Sequence, residues 1–197
     1  MIADFQQLLN GWAVSFDLPI LDWIRANMTT PLLDVLIPIV SFLGDAGMVW
    51  IIWALILLLT RKHRKTGLGM LVALLMGVVV CNLILKPTVA RIRPYDLQET
   101  LGVTIALLVE KPHDFAFPSG HTIASFEACT VLLLANWKQG IPAVLLAIAI
   151  AFSRLYLYIH YPTDVITSVI LGAIFGIIGY LVTHKVKISL KGKFLEK

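Results

Sequence analysis

The stretch Ser153-Arg154-Leu155-Tyr156-Leu157-Tyr158-Ile159-His160-Tyr161-Pro162-Thr163-Asp164 sets Arg154, His160 and Asp164 between two apolar runs, 141–152 upstream and 165–182 downstream. A charged side chain at a bilayer centre costs about 2.5 to 3.5 kcal/mol even on the lenient insertion scale. The three polar groups are therefore expected together at one membrane face. Pro is tolerated at the first helical position and disfavours helix for the residue before it, here Tyr161. One helix should end near His160 and another begin near Pro162. Asp164 then lies in the first turn of the second helix, where the macrodipole favours a carboxylate that can turn back toward the imidazole. A His oriented by an Asp is the nucleophile-and-orienter arrangement of covalent catalysis. It is equally a hydrogen bond that closes a helix hairpin, and this stretch alone is compatible with both.

Composition fixes the class. Of the 197 residues 58% are hydrophobic and 14% charged, and the mean hydropathy is +0.86. That is too apolar for a soluble domain of this size, and an all-α polytopic membrane protein is expected. The net charge of +4 fits loop placement of the basic residues; no nucleic-acid module is present. Cys81 and Cys129 both lie in apolar runs and read as small apolar side chains rather than a disulfide or metal site. No oligomeric state is assigned.

The expected organisation has three parts. Residues 1–27 mix Trp12 and Trp23 with dispersed Asp4, Asp17, Asp22 and Arg25 and lack an unbroken apolar span. That pattern suits an amphipathic helix in the membrane interface, or a terminal helix packed on the bundle. Residues 28–184 form the catalytic domain with six transmembrane helices. Its first two are expected as a hairpin over 28–60 turning at Gly44-Asp45-Ala46-Gly47, since one helix of that length would bury Asp45 near the bilayer centre. The others are expected over 67–85, 122–137, 141–159 and 163–182. Residues 185–197 form a basic tail.

By the positive-inside rule, Arg25, Arg61, Lys62, Arg64, Lys65, Lys138, Lys185, Lys187, Lys191, Lys193 and Lys197 belong to the cytoplasmic side. Both termini are thus expected in the cytoplasm. The remaining cations, Lys86, Arg91, Arg93, Lys111 and Arg154, fall on the opposite side, and their clustering there suggests an anion site. Lys86 and Arg93 are spaced to share a face if their segment is roughly helical, with Arg91 pointing elsewhere. A Lys point charge beside an Arg fork would clamp an oxyanion, although snorkelling interface anchors would have the same spacing. Downstream, Phe117-Pro118-Ser119-Gly120-His121 runs straight into an apolar span. Helix N-terminal amides, the Ser119 hydroxyl and the close backbone approach allowed by Gly120 can receive a phosphate. His121 would stand one turn in. A plain helix cap explains Ser119 but not His121.

These three stretches, in order, resemble the signature of the type 2 phosphatidic acid phosphatase family, K-x6-R-P, P-S-G-H and S-R-x5-H-x3-D, at every defined position. The matches are Lys86, Arg93 and Pro94; Pro118, Ser119, Gly120 and His121; Ser153, Arg154, His160 and Asp164. The layout is similar to that of the small bacterial integral-membrane members. The resemblance implies that His160, oriented by Asp164, attacks phosphorus to form a phosphohistidine, and that His121 protonates the leaving oxygen. It implies that Lys86, Arg93, Arg154, Ser119 and the amides of Gly120 and His121 hold the phosphate oxygens. The implied substrate is a lipid phosphate, phosphatidic acid or phosphatidylglycerol phosphate, with an undecaprenyl diphosphate carrier as the alternative. No metal or other cofactor is expected, because the site is rich in cations and its one clear carboxylate, Asp164, is committed to His160. The active site is expected to face the extracytoplasmic side of the cell membrane. A transporter should show internal repeats, and none is convincing here; a non-catalytic binder would not need both His160 and Asp164.

Overall fold

A computed structural model describes residues 2–184, with side chains described from Phe5 onward; the basic tail 185–197 lies outside the described residues. Among the described residues the structure is helical, with no strand. In chain order the helices are α1 (Ile2–Trp12), α2 (Leu18–Met28), α3 (Pro31–Leu43), α4 (Met48–Leu59), α5 (Arg64–Gly77), α6 (Lys86–Val89), α7 (Pro94–Thr100), α8 (Gly120–Ala135), α9 (Trp137–Tyr156) and α10 (Pro162–His184). π-helical segments join α1 to α2 (Ala13–Asp17) and α5 to α6 (Val78–Leu85), with right-handed helical backbone angles at the flanking residues.

Among the described residues three stretches are long and apolar enough to cross a membrane: Arg61–Thr100, Trp137–Tyr156 and Pro162–His184. The pair α3 and α4, bent by 44°, makes a fourth if it is one span, and α8 is a shorter apolar helix. Large apolar side chains point outward along these elements, among them Leu32, Ile39, Ile56, Leu83, Ile148 and Ile170. In water such a surface would be unsupportable, and in lipid it is the ordinary exterior.

The bundle is built on α8, which packs against α5, α9 and α10, while α4 packs on α5 and α10 on α5. Close approach of α10 to α8 depends on small residues. A Cβ on Gly172 would lie 2.8 Å from the Ile123 carbonyl oxygen, and one on Gly176 2.7 Å from that of Glu127. Van der Waals contact between backbones replaces the hydrophobic drive that lipid does not supply. Trp50, Met70, Leu132 and Ile150 fill the centre, and Trp50 Nε1 donates to Ser125 Oγ at 3.0 Å.

Two expectations change. The hairpin over 28–60 is not formed: α3 and α4 continue one another across the bend instead of folding back. Ala46 (φ 50) and Gly47 (φ 68) take left-handed backbone at the junction, and a Cβ on Gly44 would lie 2.9 Å from both His121 and Ile150. Asp45 escapes the apolar layer by pairing with His121 Nε2 at 2.6 Å, so no hairpin is needed to keep it out of lipid. Secondly, α9 ends at Tyr156 rather than near His160, because Tyr158 turns at φ 60 and the chain reverses over residues 157–161 before Pro162.

The N-terminal segment lies along one end of the bundle. Gln6 Nε2 donates to the Val89 carbonyl, Asp22 accepts from the Tyr158 hydroxyl at 2.6 Å, and Ala13, Leu18 and Leu21 pack with Tyr158 and Tyr161. Phe5, Leu8, Trp12 and Trp23 face outward. It is both amphipathic and packed on the bundle.

Candidate active site

The chain breaks helix at the places where the polar residues are needed. α6 stops because Ala90 adopts left-handed φ/ψ, a helix-ending conformation, and the backbone stays extended to Arg93 because Pro94 disfavours helix before it. Lys86 and Arg93 therefore do not share a helical face as expected; they converge because the chain turns between them. Both reach the carboxylate of Asp114, Lys86 through Nζ and Arg93 through NH2 at 2.5 Å. Arg93 is 3% exposed, and it also donates to the carbonyls of Asp114 at 2.8 Å and Ile159 at 2.6 Å.

His160 sits in the turn between α9 and α10, 1% exposed. Its Nε2 lies 3.3 Å from Arg93 NH1. A guanidinium only donates, so Nε2 carries the lone pair and the proton resides on Nδ1. That Nδ1 lies 3.7 Å from Asp164 Oδ2 and has no hydrogen-bond partner, so the His160–Asp164 pairing is an electrostatic neighbour contact rather than a formed hydrogen bond. Burial, followed by the positive charges of Arg93, Arg154 and Lys86, pushes the imidazole well below its ordinary range. His160 is a neutral imidazole with a lone pair facing cations.

Asp164 is held from behind. Its Oδ2 accepts from the Tyr161 amide at 3.0 Å and its Oδ1 from Arg91 NH1 at 2.5 Å. Arg91 also donates to Asp17 at 2.7 Å and Thr163 at 2.8 Å, and its guanidinium lies 3.8 Å from the Tyr161 ring centre. Asp17, fully buried, accepts in turn from the Thr163 amide at 3.0 Å, capping α10 from the N-terminal segment as a carboxylate at a helix start should.

The third cation, Arg154, is in the last turn of α9, with NH1 bonded to Ser41 Oγ and Nε lacking a partner. Lys86, Arg93, Arg154, His121, His160, Gly120 and Asp114 line one cavity of about 680 Å³, within the usual size of a small-molecule site. Ser119 differs from the expected cradle. It is fully buried, its amide donates to Ser168 Oγ at 2.9 Å, and its hydroxyl accepts from Thr122 at 3.0 Å. The helix opens at Gly120, so Pro118 lies before it rather than at its first position.

Sequence reasoning missed Asp45, Asp114, Asp17 and Glu127 as members of this environment, and it placed Arg91 in the cation cluster without its bonds to Asp164 and Asp17. Asp45 and Glu127 had a signal, an isolated carboxylate in apolar sequence; Asp114 had none, being one polar residue in a polar loop. The expectation that Asp164 is the one clear carboxylate is corrected accordingly. Asp114 is the most exposed of them, at 54% of its side chain. Partial burial alone would raise it, but Lys86 and Arg93 outweigh burial and hold its carboxyl below the ordinary range. Among the described residues no group of three or more His, Cys, Asp or Glu is placed to hold a metal ion.

A fold of this kind around these three stretches has known counterparts. The family model described as PAP2 superfamily matches residues 66–188, and the chain belongs to that family. Among individual relatives, it is 32% identical over 64% of its length to an undecaprenyl-diphosphatase of Sulfolobus acidocaldarius. It is 31% identical over 70% of its length to a lipid A 4'-phosphatase of Bacteroides thetaiotaomicron. The chain spans 59% and 64% of the lengths of those two relatives. The crystal structure of Aquifex aeolicus LpxE superposes with a TM-score of 0.70 at 28% identity, covering 83% of this chain and 93% of that one. A Bacillus subtilis PAP2-type phosphatidylglycerolphosphate phosphatase shares the fold, with a TM-score of 0.72 at 23% identity over 95% of this chain and 96% of the other.

Proposed function

We propose that this chain hydrolyses the phosphomonoester or diphosphate of a membrane lipid through a phosphohistidine on His160, without a metal ion. The observation that carries the reading is the buried, neutral His160 with its Nε2 lone pair turned into a cavity whose walls hold Lys86, Arg93 and Arg154. A phosphate taking the place of Asp114 would be neutralised by these cations and by the amides of Gly120 and His121. Nε2 attacks phosphorus, the bond to the lipid oxygen breaks, and the Nδ1 proton is stabilised by Asp164. His121 Nε2, now directed at Asp45, gives its proton to the departing oxygen once that oxygen replaces Asp45 as partner. Water then attacks the phosphohistidine and releases phosphate and His160.

Phosphatidic acid and phosphatidylglycerol phosphate are the proposed substrates. The second reading, an undecaprenyl diphosphate, is favoured by the relative of that name. We place the site at the extracytoplasmic face of the cell membrane, because Arg61, Lys62, Arg64 and Lys65 lie at the opposite end of α5 from Lys86, Arg91 and Arg93. The six expected crossings become five in this reading, with α3 and α4 sharing one and α5 with its π segment, α8, α9 and α10 making the others. The N-terminal segment lies at the site's end, and the N-terminus with it, in place of a cytoplasmic N-terminus. The domain organisation proposed is an interfacial segment 1–27, a membrane catalytic domain 28–184 and a basic cytoplasmic tail 185–197.

The test is phosphate release from these lipids in detergent. His160→Asn should fold but lose turnover by roughly three orders of magnitude or more, Asp164→Asn should retain somewhat more, and excess EDTA should leave wild-type activity intact. Micromolar orthovanadate, which can become five-coordinate, should inhibit. Activity lost in EDTA and restored by magnesium or manganese would overturn the metal-independent mechanism.

A further inference from the structure

Glu127 is a buried ionisable group in the cavity wall that the mechanism leaves unused. It lies on α8, is 1% exposed and lines the same cavity as His160. Its Oε1 has no hydrogen-bond partner. The opposing helix makes room for it: a Cβ on Gly77 would lie 2.3 Å from Oε1 and 2.6 Å from Oε2, so any side chain there would push this carboxyl out of its present place. An ionisable side chain in a membrane helix is costly and marks function by default, and a buried polar atom left unmade costs about 1 to 3 kcal/mol.

Its position relates it to the phosphate end. Glu127 follows Gly120 by two turns on the same face of α8, and Ile123 and Ala124 line the cavity between them. Six residues of helix place its Cα about 9 Å below His121, and helical side chains lean toward the N-terminus. The carboxyl therefore falls within one glycerol or sugar unit of a phosphate held by Lys86, Arg93 and Arg154. The walls at this depth are otherwise apolar, with Ile51, Leu74 and Val78.

We propose that Glu127 is a specificity-determining residue whose carboxyl accepts a hydrogen bond from a hydroxyl on the alcohol portion of the substrate, and that the enzyme prefers phosphorylated glycerol- or sugar-bearing lipids over those without such a hydroxyl. This rests on the phosphatase reading above. A bare polyprenyl chain would leave Oε1 without a partner on binding, whereas a hydroxyl satisfies it. Sites built to bond a hydroxyl discriminate strongly against analogues that lack it.

The probes are phosphatidylglycerol phosphate and its deoxy analogue built on 1,3-propanediol, which differ by one hydroxyl. We expect wild type to favour the hydroxyl-bearing lipid in kcat/KM by at least tenfold. Glu127→Leu should collapse that ratio toward one, while Glu127→Gln, which keeps an acceptor oxygen, should retain part of it. Gly77→Ala, which crowds the carboxyl, serves as the second variant should Glu127→Leu not fold, and it too should lower the ratio. A ratio near one in wild type, or a high ratio unchanged in folded Glu127→Leu, overturns the role of Glu127 while leaving the phosphatase intact. Hydrolysis of neither lipid by wild type, with no phosphate released from phosphatidic acid or undecaprenyl diphosphate either, overturns the phosphatase reading and this inference with it.

Discussion

Arg91 and Arg93 stand two residues apart on one extended strand of chain, each 3% exposed and each bound to aspartate, yet they belong to different parts of the machinery. Arg91 faces away from the cavity and ties together Asp17 and Asp164, both fully buried, with Thr163 and the Tyr161 ring completing its surroundings. Arg93 faces the cavity, where its partner Asp114 is half exposed and also holds Lys86. Alternation along extended backbone alone would put residues two apart on one side, so it is their partners that separate the two arginines: Arg91 is a permanent brace behind Asp164, and Arg93 a cation whose carboxylate partner can be exchanged for phosphate. Burial of the partner, not of the arginine, separates the two roles.

The sharpest way to break this comparison is Arg91→Met. Losing the guanidinium leaves two buried carboxylates without a counter-charge, which costs about 3 to 5 kcal/mol, and thermal inactivation in detergent should show it as a marked loss of stability with activity falling alongside. Arg93→Met should act in the opposite sense. Its partner Asp114 can be solvated, so the thermal midpoint should stay near wild type while kcat/KM drops by roughly two to three orders of magnitude, as for loss of a charged partner of a transition-state oxyanion. Equal effects of both variants on stability would dissolve the distinction.

A smaller effect is expected at Asp114, whose carboxylate takes the place proposed for substrate phosphate. Asp114→Asn removes a competing anion, so inhibition by inorganic phosphate should tighten by about tenfold, or 1.4 kcal/mol. Weaker inhibition by phosphate in that variant would mean that Asp114 helps to build the site instead of filling it. Since Lys86 and Arg93 hold this carboxyl below the ordinary range, it stays charged as pH falls toward 4, and phosphate must displace it rather than wait for its protonation.

The mildest effect concerns pH. His160 must be neutral to attack, and its imidazole lies well below the ordinary value of 6.5. The kcat/KM profile, which reports the free enzyme, should therefore keep its plateau as pH falls through 6.5 once the ionisation of the substrate phosphate itself, near 6, is taken out. An acid limb centred at or above 6.5 would show His160 unshifted.

Much of this arrangement was legible in the sequence because polar residues in apolar sequence stand out. Lys86, Arg93, His121, Arg154, His160 and Asp164 are all found near one cavity, and α10 begins at Pro162 as expected. The rest depended on three-dimensional neighbours. Asp17 reaches Thr163 from a helix 146 residues away in sequence, and nothing in residues 1–27 marks it among several dispersed charges. The α3–α4 bend was read as a hairpin because Asp45 had to avoid lipid, a correct demand that pairing with His121 meets differently. Ser119 looked like a phosphate donor, whereas the packing of α10 gives its amide to Ser168.

The central claim is that His160 becomes covalently phosphorylated without help from a metal. The direct measurement is rapid alkaline quenching of enzyme turning over phosphatidic acid or phosphatidylglycerol phosphate labelled with radioactive phosphorus, in excess EDTA. The expected result is a protein-bound label that survives alkali, is lost in acid, as a phosphorus–nitrogen bond is, and is absent from His160→Asn. A label that persists in His160→Asn, or steady turnover by wild type with no labelled protein at any quench time, would contradict it.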